Sequence, residues 1–257
     1  MCRWLSYSGA PIHLEKLLFE PQHSLIEQSL HARKAKVATN GDGFGVGWYA
    51  DRPTPGIYRD VLPAWNDSNL KSLAHQIRSG LFFAHVRAST GTATSRDNCH
   101  PFHYRQWLFM HNGQIGGYSK IRRRLDALIP DALYEHRHGT TDSELFFVLM
   151  IHFGLIDDPI GALRRTLDVI LEEMKRAEIE EPFRMTAAFS DGVRVFAVRH
   201  ASDPSPPSLY WSVEGGDTII VSEPLDEVRG HWKQVPPSHV LVAEPNGKAK
   251  LKALSAC

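Results

Sequence analysis

Two runs of strongly β-forming residues, 183–190 and 193–200, flank the dipeptide Asp191–Gly192 and constrain the fold more than any other segment. Because Asp-Gly supplies the positive φ angles of a two-residue turn, the runs are predicted to form an antiparallel hairpin. Further apolar, β-rich runs bounded by turn residues predict strands at 44–50, 81–90, 107–111, 209–213, 218–222 and 239–243. Consecutive hairpin-like strands favour antiparallel sheets over a regular alternation of strands and helices.

Helices are predicted between these strands, at 24–35 and, after a capping residue at Asp67, at 68–78. Thr141 and Glu144 have the spacing of a capping box just before the apolar run 145–156, and Asp158 precedes a further amphipathic helix. The apolar run is shorter than the ~20 residues that span a bilayer, so we interpret it as a buried helix. Mixed blocks of helices and antiparallel strands predict the α+β class.

The composition narrows the functional classes. Lys plus Arg and Asp plus Glu each number 29 in the 257 residues, and the resulting net charge of zero favours neither a nucleic acid nor a membrane as partner. The cysteines are too few and too scattered for a disulfide scaffold: Cys2, Cys99 and Cys257. The first twelve residues lack the basic start and apolar stretch of a secretory signal, so we expect a cytoplasmic protein.

Cys2 is the first candidate for chemistry. Aminopeptidases remove the initiator Met when the next side chain is small, so Met1 is expected to be removed and Cys2 to carry a free α-amine. An α-amine with a pKa of about 7.7–8.0 can accept a proton at neutral pH, and the adjacent thiol would then be a ready nucleophile. From position alone an ordinary early residue is the simpler interpretation, and a catalytic role needs residues elsewhere.

Candidate binding and oxyanion residues lie in three later segments. Arg87 and Thr90 could bind a substrate carboxylate through the guanidinium and a hydroxyl; for Arg87 a solvated edge-strand position is the alternative. Asn112 and Gly113 could form an oxyanion hole from a side-chain amide and a backbone N–H, or simply a hairpin turn. Asp142 could balance a substrate ammonium group, or only the dipole of the helix that it begins.

Four segments carry these residues: MCR at the start, HVRAST at 85–90, HNG at 111–113 and TDSE at 141–144. Their order, spacing and residue types resemble the class II glutamine amidotransferases, which are N-terminal-nucleophile hydrolases. NGDGFG at 40–45 and SEP at 222–224 extend the resemblance over nearly the whole chain. Among these proteins, the chain resembles the stand-alone bacterial members, a group that includes the γ-glutamyl hydrolase of ergothioneine biosynthesis.

The resemblance implies a fold and a reaction. The fold is a four-layer α/β/β/α sandwich with two stacked, mostly antiparallel sheets, formed by a single domain over residues 2–257. The reaction is hydrolysis of the γ-amide of glutamine or of a small γ-glutamyl amide through a thioester on Cys2, which releases glutamate and ammonia or an amine. The expected partner is therefore a small-molecule substrate, and no cofactor or metal is required.

The resemblance also implies the roles of the remaining site residues. Asn112 and Gly113 would stabilise the oxyanion that forms on the attacked carbonyl. Arg87 and Thr90 would hold the α-carboxylate of the γ-glutamyl group, and Asp142 would hold its α-ammonium. Positioning of this kind would make a general amidase selective for γ-glutamyl compounds.

The chain departs from the synthase-linked family members in two places. Those members usually have His after the Thr of the arginine motif, where this chain has Gly91, and RGxDSxG where it has NGDGFG. The departures bear on substrate contacts and on communication with a synthase. We expect hydrolysis, because the chain resembles the stand-alone members. A glutaminase subunit that delivers ammonia to a separate synthase, and a non-catalytic γ-glutamyl-binding protein, are left open.

Two other classes of protein fit the sequence less well. Cys99, His100 and His103 lie on a turn that precedes His111 and suggest zinc, but the paired Cys-x-x-Cys spacing is missing. The alternate glycines at 41, 43, 45 and 47 fail the dinucleotide-binding pattern G-x-G-x-x-G, because neither residue 46 nor residue 48 is glycine. Such glycines fit better in a strand that another layer approaches closely.

Overall fold

The computed structural model describes residues 2–30, 40–89 and 93–254. The strands within these residues are β1 Arg3–His13, β2 Phe44–Trp48, β3 Gly56–Asp60, β4 Arg78–Val86, β5 Phe102–Tyr104, β6 Trp107–Gln114, β7 Arg184–Ser190, β8 Val195–Ala201, β9 Tyr210–Glu214, β10 Asp217–Val221, β11 Lys233–Gln234, β12 His239–Glu244 and β13 Lys248–Ala253. The α-helices are α1 Glu15–Leu18, α2 Leu25–Leu30, α3 Ser68–Gln76, α4 Tyr118–Asp126, α5 Asp131–Tyr134, α6 Asp142–His152 and α7 Pro159–Arg176. Short 3₁₀ turns cover Ala64–Asn66, Arg96–Asn98 and Pro245–Gly247.

The described strands form two antiparallel sheets. One has seven strands in the order β11-β9-β10-β1-β4-β2-β3, and the other has six in the order β13-β12-β8-β7-β6-β5. Their facing sides are joined by a layer of buried apolar side chains that includes Trp4, Phe83, Leu108, Met110 and Leu241. The two sheets therefore stack face to face, with their inner surfaces sealed from water.

Helices cover the outer face of each sheet. The first core, on the seven-stranded sheet, packs α1, α2 and α3 against β1, β2 and β4. The second, on the six-stranded sheet, packs α4, α6 and α7 against β6, β7, β8 and β12. The predicted α+β class and the four-layer α/β/β/α sandwich of the N-terminal-nucleophile hydrolases are confirmed. Within the described residues, no helix is both long and apolar enough to cross a membrane.

The predicted hairpin around Asp191 is confirmed, but its turn is longer than expected. Ser190 pairs with Val195, which leaves four residues in the loop where the sequence predicts two. The Asp191 carboxylate accepts hydrogen bonds from the backbone N–H groups of Val193 (3.0 Å) and Arg194 (2.7 Å). These bonds stabilise the wider loop, so Asp191 acts through its side chain rather than as the first residue of a tight turn.

The predicted helix starts are also confirmed. Asp67, Thr141 and Asp158 each accept a backbone hydrogen bond from the first turn that they precede. The reciprocal half of the capping box differs, because the Glu144 carboxylate accepts from the backbone of His138 and Gly139 instead. The first predicted helix, 24–35, overlaps α2 (Leu25–Leu30), and residues 31–35 of the prediction lie outside the described part of the chain.

The alternate glycines of β2 allow a segment of the other sheet's chain to approach this strand. A Cβ atom on Gly45 would lie 2.2 Å from the His100 carbonyl oxygen, and one on Gly47 would lie 2.8 Å from Cγ of Pro101. Any larger residue would push this segment away. The prediction of a strand on which another layer packs closely is confirmed for Gly45 and Gly47, whereas Gly41 and Gly43 precede β2. The contact brings His100 next to His85 near the end of β4.

Candidate active site

A cavity of about 670 Å³ lies where β1 begins, β4 and β6 end, and α4 and α6 begin. Cys2, Arg87, Gly113 and Asp142 line it together. The structure thus brings four of the predicted site residues to one cavity from four separate elements. Asn112, another predicted site residue, is buried in the strand beside it.

Thr90 lies outside the described residues, as do Met1 and Cys257. Of the predicted strand 81–90, the part up to Val86 belongs to β4. The predicted contribution of the Thr90 hydroxyl to carboxylate binding, and the predicted removal of Met1, both stay predictions.

Cys2 directly precedes β1, which pairs with β10 on one side and with β4 on the other. Its Sγ accepts a hydrogen bond from the Ala88 N–H at 3.4 Å and lies 3.6 Å from the Ala88 carbonyl oxygen. Burial raises the pKa of the Cys2 thiol, while the Ala88 N–H and the charge of Arg87 act in the opposite direction. The thiol therefore keeps its proton near neutral pH unless a base removes it.

Arg87 follows β4 and is 3% exposed. β4 pairs with β1 and β2, so the alternative of a solvated residue on an edge strand is wrong. The guanidinium donates to the carbonyl oxygen of Asp42 (3.1 Å) and to Oγ of Ser89 (3.2 Å). The Asp42 carboxylate in turn accepts from the Ser89 N–H at 2.7 Å. The glycine-rich segment that contains Asp42 is therefore part of the support for Arg87.

Asn112 and Gly113 do not form a hairpin turn, since β6 continues through both residues to Gln114. They pair with β7, opposite Thr186 and Met185. A Cβ atom on Gly113 would lie 1.9 Å from the carbonyl oxygen of Arg184, so the close pairing at this position requires glycine. The pair lies near the end of β6, with Gly113 on the wall of the cavity.

Asp142 is the first residue of α6. Its carboxylate accepts hydrogen bonds from the Ile115 backbone N–H (2.9 Å) and from the Ser143 hydroxyl (3.3 Å). The first bond ties the start of α6 to the chain just after β6. A carboxylate at this position both suits the helix dipole and presents negative charge to the cavity, so the two interpretations of Asp142 are compatible.

Three buried histidines surround the site: His85, to which the sequence assigned no role, and His100 and His111, which it considered only for the zinc alternative. The rings of His85 and His100 lie 4.2 Å apart, and a ring nitrogen of His85 contacts the His111 carbonyl oxygen at 3.2 Å. His111 is also 2.7 Å from Oγ of Ser143. Burial lowers the pKa of His85 to about 3 and holds those of His100 and His111 below the usual value. All three imidazoles are therefore neutral near pH 7.

The residues of the zinc alternative do not converge. The Cys99 thiol donates to backbone carbonyl oxygens of Asp60 and Ser95, both at 3.4 Å. His103 lines a different cavity from His100. Within residues 2–30, 40–89 and 93–254, no group of three or more His, Cys, Asp or Glu side chains is arranged to hold a metal ion.

The fold and the cavity define an N-terminal-nucleophile hydrolase sandwich. The same architecture occurs in glutamine phosphoribosylpyrophosphate amidotransferase from Bacillus subtilis, with a TM-score of 0.70 at 15% identity over 100% of this chain and 50% of that one. The class-II glutamine aminotransferase domain protein from Silicibacter pomeroyi has a TM-score of 0.77 and 38% identity, over 99% of this chain and 100% of that one.

The sequence family agrees with the fold. The model of the class-II glutamine amidotransferases matches residues 20–205, and the chain belongs to this family of enzymes. The probable glutamine amidotransferase DUG3 of Saccharomyces cerevisiae is 36% identical over 94% of this chain and 81% of its own length. The γ-glutamyl-hercynylcysteine sulfoxide hydrolase of Mycolicibacterium smegmatis is 28% identical over 94% of this chain and 95% of its own.

Proposed function

We propose that the chain hydrolyses the γ-amide of glutamine or of a small γ-glutamyl amide and releases glutamate with ammonia or an amine. The observation that carries the proposal is the shared cavity, in which a thiol, a buried guanidinium and a carboxylate lie together. Such a set matches the γ-glutamyl group, which presents a carboxylate, an ammonium and a carbonyl carbon. The relative from M. smegmatis, named for hydrolysis of a γ-glutamyl compound, supports the same class of reaction.

In the proposed reaction Cys2 is the nucleophile. After removal of Met1, its α-amine takes the proton of the thiol, and the sulfur attacks the γ-carbonyl carbon. The raised pKa of the thiol makes this base necessary. The C–N bond then breaks, the α-ammonium returns its proton to the leaving amine, and a γ-glutamyl thioester remains. Water hydrolyses the thioester to glutamate and regenerates the thiol.

Asn112 and Gly113 would donate hydrogen bonds to the oxyanion, from the side-chain amide and the backbone N–H. Their place in a strand paired along β7 supports this role, because paired backbone holds donors in fixed positions. Removing one such donor typically costs on the order of 10²–10³ in rate.

Arg87 would bind the α-carboxylate of the γ-glutamyl group, with Thr90, and Asp142 would bind the α-ammonium. The cavity is lined by the positive charge of Arg87 and the negative charge of Asp142, which supports this orientation of the zwitterionic γ-glutamyl group. The cavity of about 670 Å³ has the volume of roughly twenty water molecules at ~30 Å³ each. It is therefore large enough for a leaving amine beyond ammonia, and both glutamine and a small γ-glutamyl amide would fit in it. We propose that residues 2–257 act as one domain.

A substrate panel tests the function directly. Protein whose Met1 is shown by intact mass to be removed is incubated with glutamine and with γ-glutamyl amides of leaving amines that differ in size. Isoglutamine, which carries its amide on the α-carboxyl group, is the matched control and should release no ammonia. Release of glutamate and amine from γ-glutamyl amides supports the proposal. Binding without release would instead support the non-catalytic alternative, and release of ammonia from glutamine alone would support a glutaminase subunit.

A further inference from the structure

A buried ion pair lies directly behind the proposed nucleophile. Nε of Arg3 is 2.8 Å from Oε2 of Glu223, and the two side chains are 3% and 9% exposed. Nη1 of the same guanidinium donates a hydrogen bond of 3.0 Å to the carbonyl oxygen of Cys2. The Arg3 guanidinium thus connects the main chain of Cys2 to an acid that lies 220 residues after Arg3 in the sequence.

Glu223 is itself held in place from two sides. Its neighbour Ser222 exchanges hydrogen bonds with Trp4 of β1: the Ser222 N–H donates to the Trp4 carbonyl, and the Trp4 N–H donates to Ser222 Oγ, both at 3.0 Å. The Gln28 side chain in α2 donates to the Glu223 carbonyl oxygen at 3.3 Å. The SEP segment at 222–224 is therefore fixed against the start of β1 before the ion pair is considered.

A buried ion pair is poor evidence for a purely stabilising role. Removing two charges from water costs about as much as their attraction returns, and apolar replacements of buried pairs are often neutral or stabilising. Because Arg3 directly follows the proposed nucleophile, the position of the pair is explained better by its effect on Cys2. The charge of Arg3 lowers the pKa of the Cys2 thiol, as does that of Arg87.

We propose that Arg3 and Glu223 form a clamp that positions the Cys2 main chain and sets the basicity of its α-amine. The inference rests on the proposed function, in which that amine is the base. Arg3 is a positioning residue: it fixes the carbonyl side of Cys2, while the Ala88 N–H fixes the sulfur. With both ends held, the amine and the thiol keep one mutual orientation. Glu223 offsets part of the Arg3 charge, so that the amine stays basic enough to accept the thiol proton.

Other ionisable groups also face Cys2 across the cavity. Charged side chains come from the segment after β4, from α4, from α6 and from the chain before β7: Arg87, Arg122, Asp142 and Glu181. Three neutral groups line the same cavity: His100, His111 and Tyr118. Burial keeps them neutral at pH 7, because it lowers the pKa of both imidazoles and raises that of the phenol to about 12. None of these residues is substituted in the variants below, so a difference in pH dependence between the variants and wild type measures the effect of the Arg3–Glu223 pair.

The test compares Arg3→Gln, Glu223→Gln and the double variant in their pH profiles of kcat/KM. A cation lowers the pKa of a nearby amine and an anion raises it, so the two single variants should move the acidic limb in opposite directions. Arg3→Gln should move it up by about 0.5–1 pH unit, Glu223→Gln should move it down, and the double variant should return close to wild type. Arg3→Gln also removes the hydrogen bond to the Cys2 carbonyl oxygen. This loss should lower kcat about 10- to 100-fold, while KM should stay within about twofold of the wild-type value.

A second readout does not depend on turnover. The rate of alkylation of Cys2 by iodoacetamide is followed against pH, and its midpoint should rise in Arg3→Gln and fall in Glu223→Gln. Intact mass confirms Met1 removal in every variant, and circular dichroism limits the comparison to pH values at which each is folded. Arg124→Gln, which breaks a pair with Glu173 between α4 and α7, is the control and should leave both profiles at the wild-type position.

The outcomes separate the clamp from the proposed function. If wild type and Arg124→Gln release no glutamate, the proposed function fails, yet the alkylation midpoints still decide the clamp. If both single variants shift their midpoints in the same direction, or if neither shifts while stability falls, the pair is structural only and the inference is overturned.

Discussion

The Asp42 carboxylate accepts a 2.7 Å hydrogen bond from the backbone N–H of Ser89. The bond joins the glycine-rich segment at 40–45 to the arginine segment at 85–89, and the Asp42 carbonyl oxygen accepts from the Arg87 guanidinium as well. Asp42 therefore binds both the main chain next to Arg87, at Ser89, and the side chain of Arg87. Contacts between residues that are 45 and 47 positions apart in the sequence thus help to orient Arg87.

We expect Asp42→Ala to weaken binding of substrates that carry an α-carboxylate. A hydrogen bond to a charged group contributes about 1.5–3 kcal/mol, so KM for glutamine or a γ-glutamyl amide should rise roughly 10- to 100-fold while kcat changes less. Steady-state kinetics on the same amide with and without its α-carboxylate measures the effect. Asp51→Ala, at an exposed loop position, should leave KM unchanged; an equal rise for the substrate without the carboxylate would contradict the assigned role.

Cys2→Ala should abolish glutamate release without loss of folding. The alanine keeps the backbone contacts of β1 but removes the sulfur that forms the thioester. In wild type, a glutamine-mimicking electrophile such as 6-diazo-5-oxo-norleucine should add once per chain, at Cys2, as peptide mass spectrometry would show. Cys99→Ala is the control and should be labelled like wild type, since the Cys99 thiol is buried against backbone carbonyls. Residual turnover in Cys2→Ala would remove Cys2 as the nucleophile.

Features that depend on neighbours in sequence were predicted correctly from sequence. Asp67, Thr141 and Asp158 cap the helices that follow them, because a capping side chain needs only the backbone three residues away. The alternating glycines of β2 indicated the close approach of another layer, since the absence of side chains leaves few other uses for them in a strand.

Features that depend on distant partners were not predictable in the same way. β1 is the longest of the described strands, yet Ser6 and Ser8 interrupt its apolar residues. Because this strand is paired on both sides and buried on both faces, its sequence does not alternate between apolar and polar residues. Two residues that hold site residues in place were also not predicted from the sequence: Asp42, which accepts a hydrogen bond from Arg87, and Glu223, which pairs with Arg3. Each is an ordinary polar residue in its local sequence, and only the stacking of strands from both halves of the chain gives it a partner.

Asn112→Ala should lower kcat by about 10²–10³ while leaving KM for the substrate nearly unchanged, because an oxyanion donor acts mainly in the transition state. Gly113→Ala should be worse and should also lower the thermal unfolding temperature, since its Cβ would lie 1.9 Å from the Arg184 carbonyl oxygen. Kinetics together with calorimetry separates the two effects. Gly247→Ala, where the φ angle is positive and a Cβ atom would lie 2.9 Å from the Gly216 backbone, does not line the cavity and controls for destabilisation alone. An Asn112→Ala variant with wild-type kcat would exclude its side chain from the oxyanion hole.

The buried histidines should make folding stability depend on pH. His85 has a pKa of about 3 in the folded chain, against about 6.5 when unfolded. Between these values the unfolded chain binds a proton that the folded chain does not, so stability is complete above pH 6.5 and decreases as the pH falls towards 3, by about 1.4 kcal/mol per pH unit for this group. His100 and His111, whose pKa values are also lowered, add to the same trend.

Urea unfolding at a series of pH values from 7.5 to 5 measures this dependence. His85→Gln removes one titrating ring and keeps a polar side chain opposite the His111 carbonyl oxygen, so its stability should fall less steeply with acid than that of wild type. His75→Gln is the matched control, because His75 is exposed and pairs with Glu15 on the surface, and it should keep the wild-type slope. Equal slopes for His85→Gln and wild type would show that the His85 ring takes up its proton over the same pH range in the folded and the unfolded chain, and the lowered pKa of His85 would then be wrong.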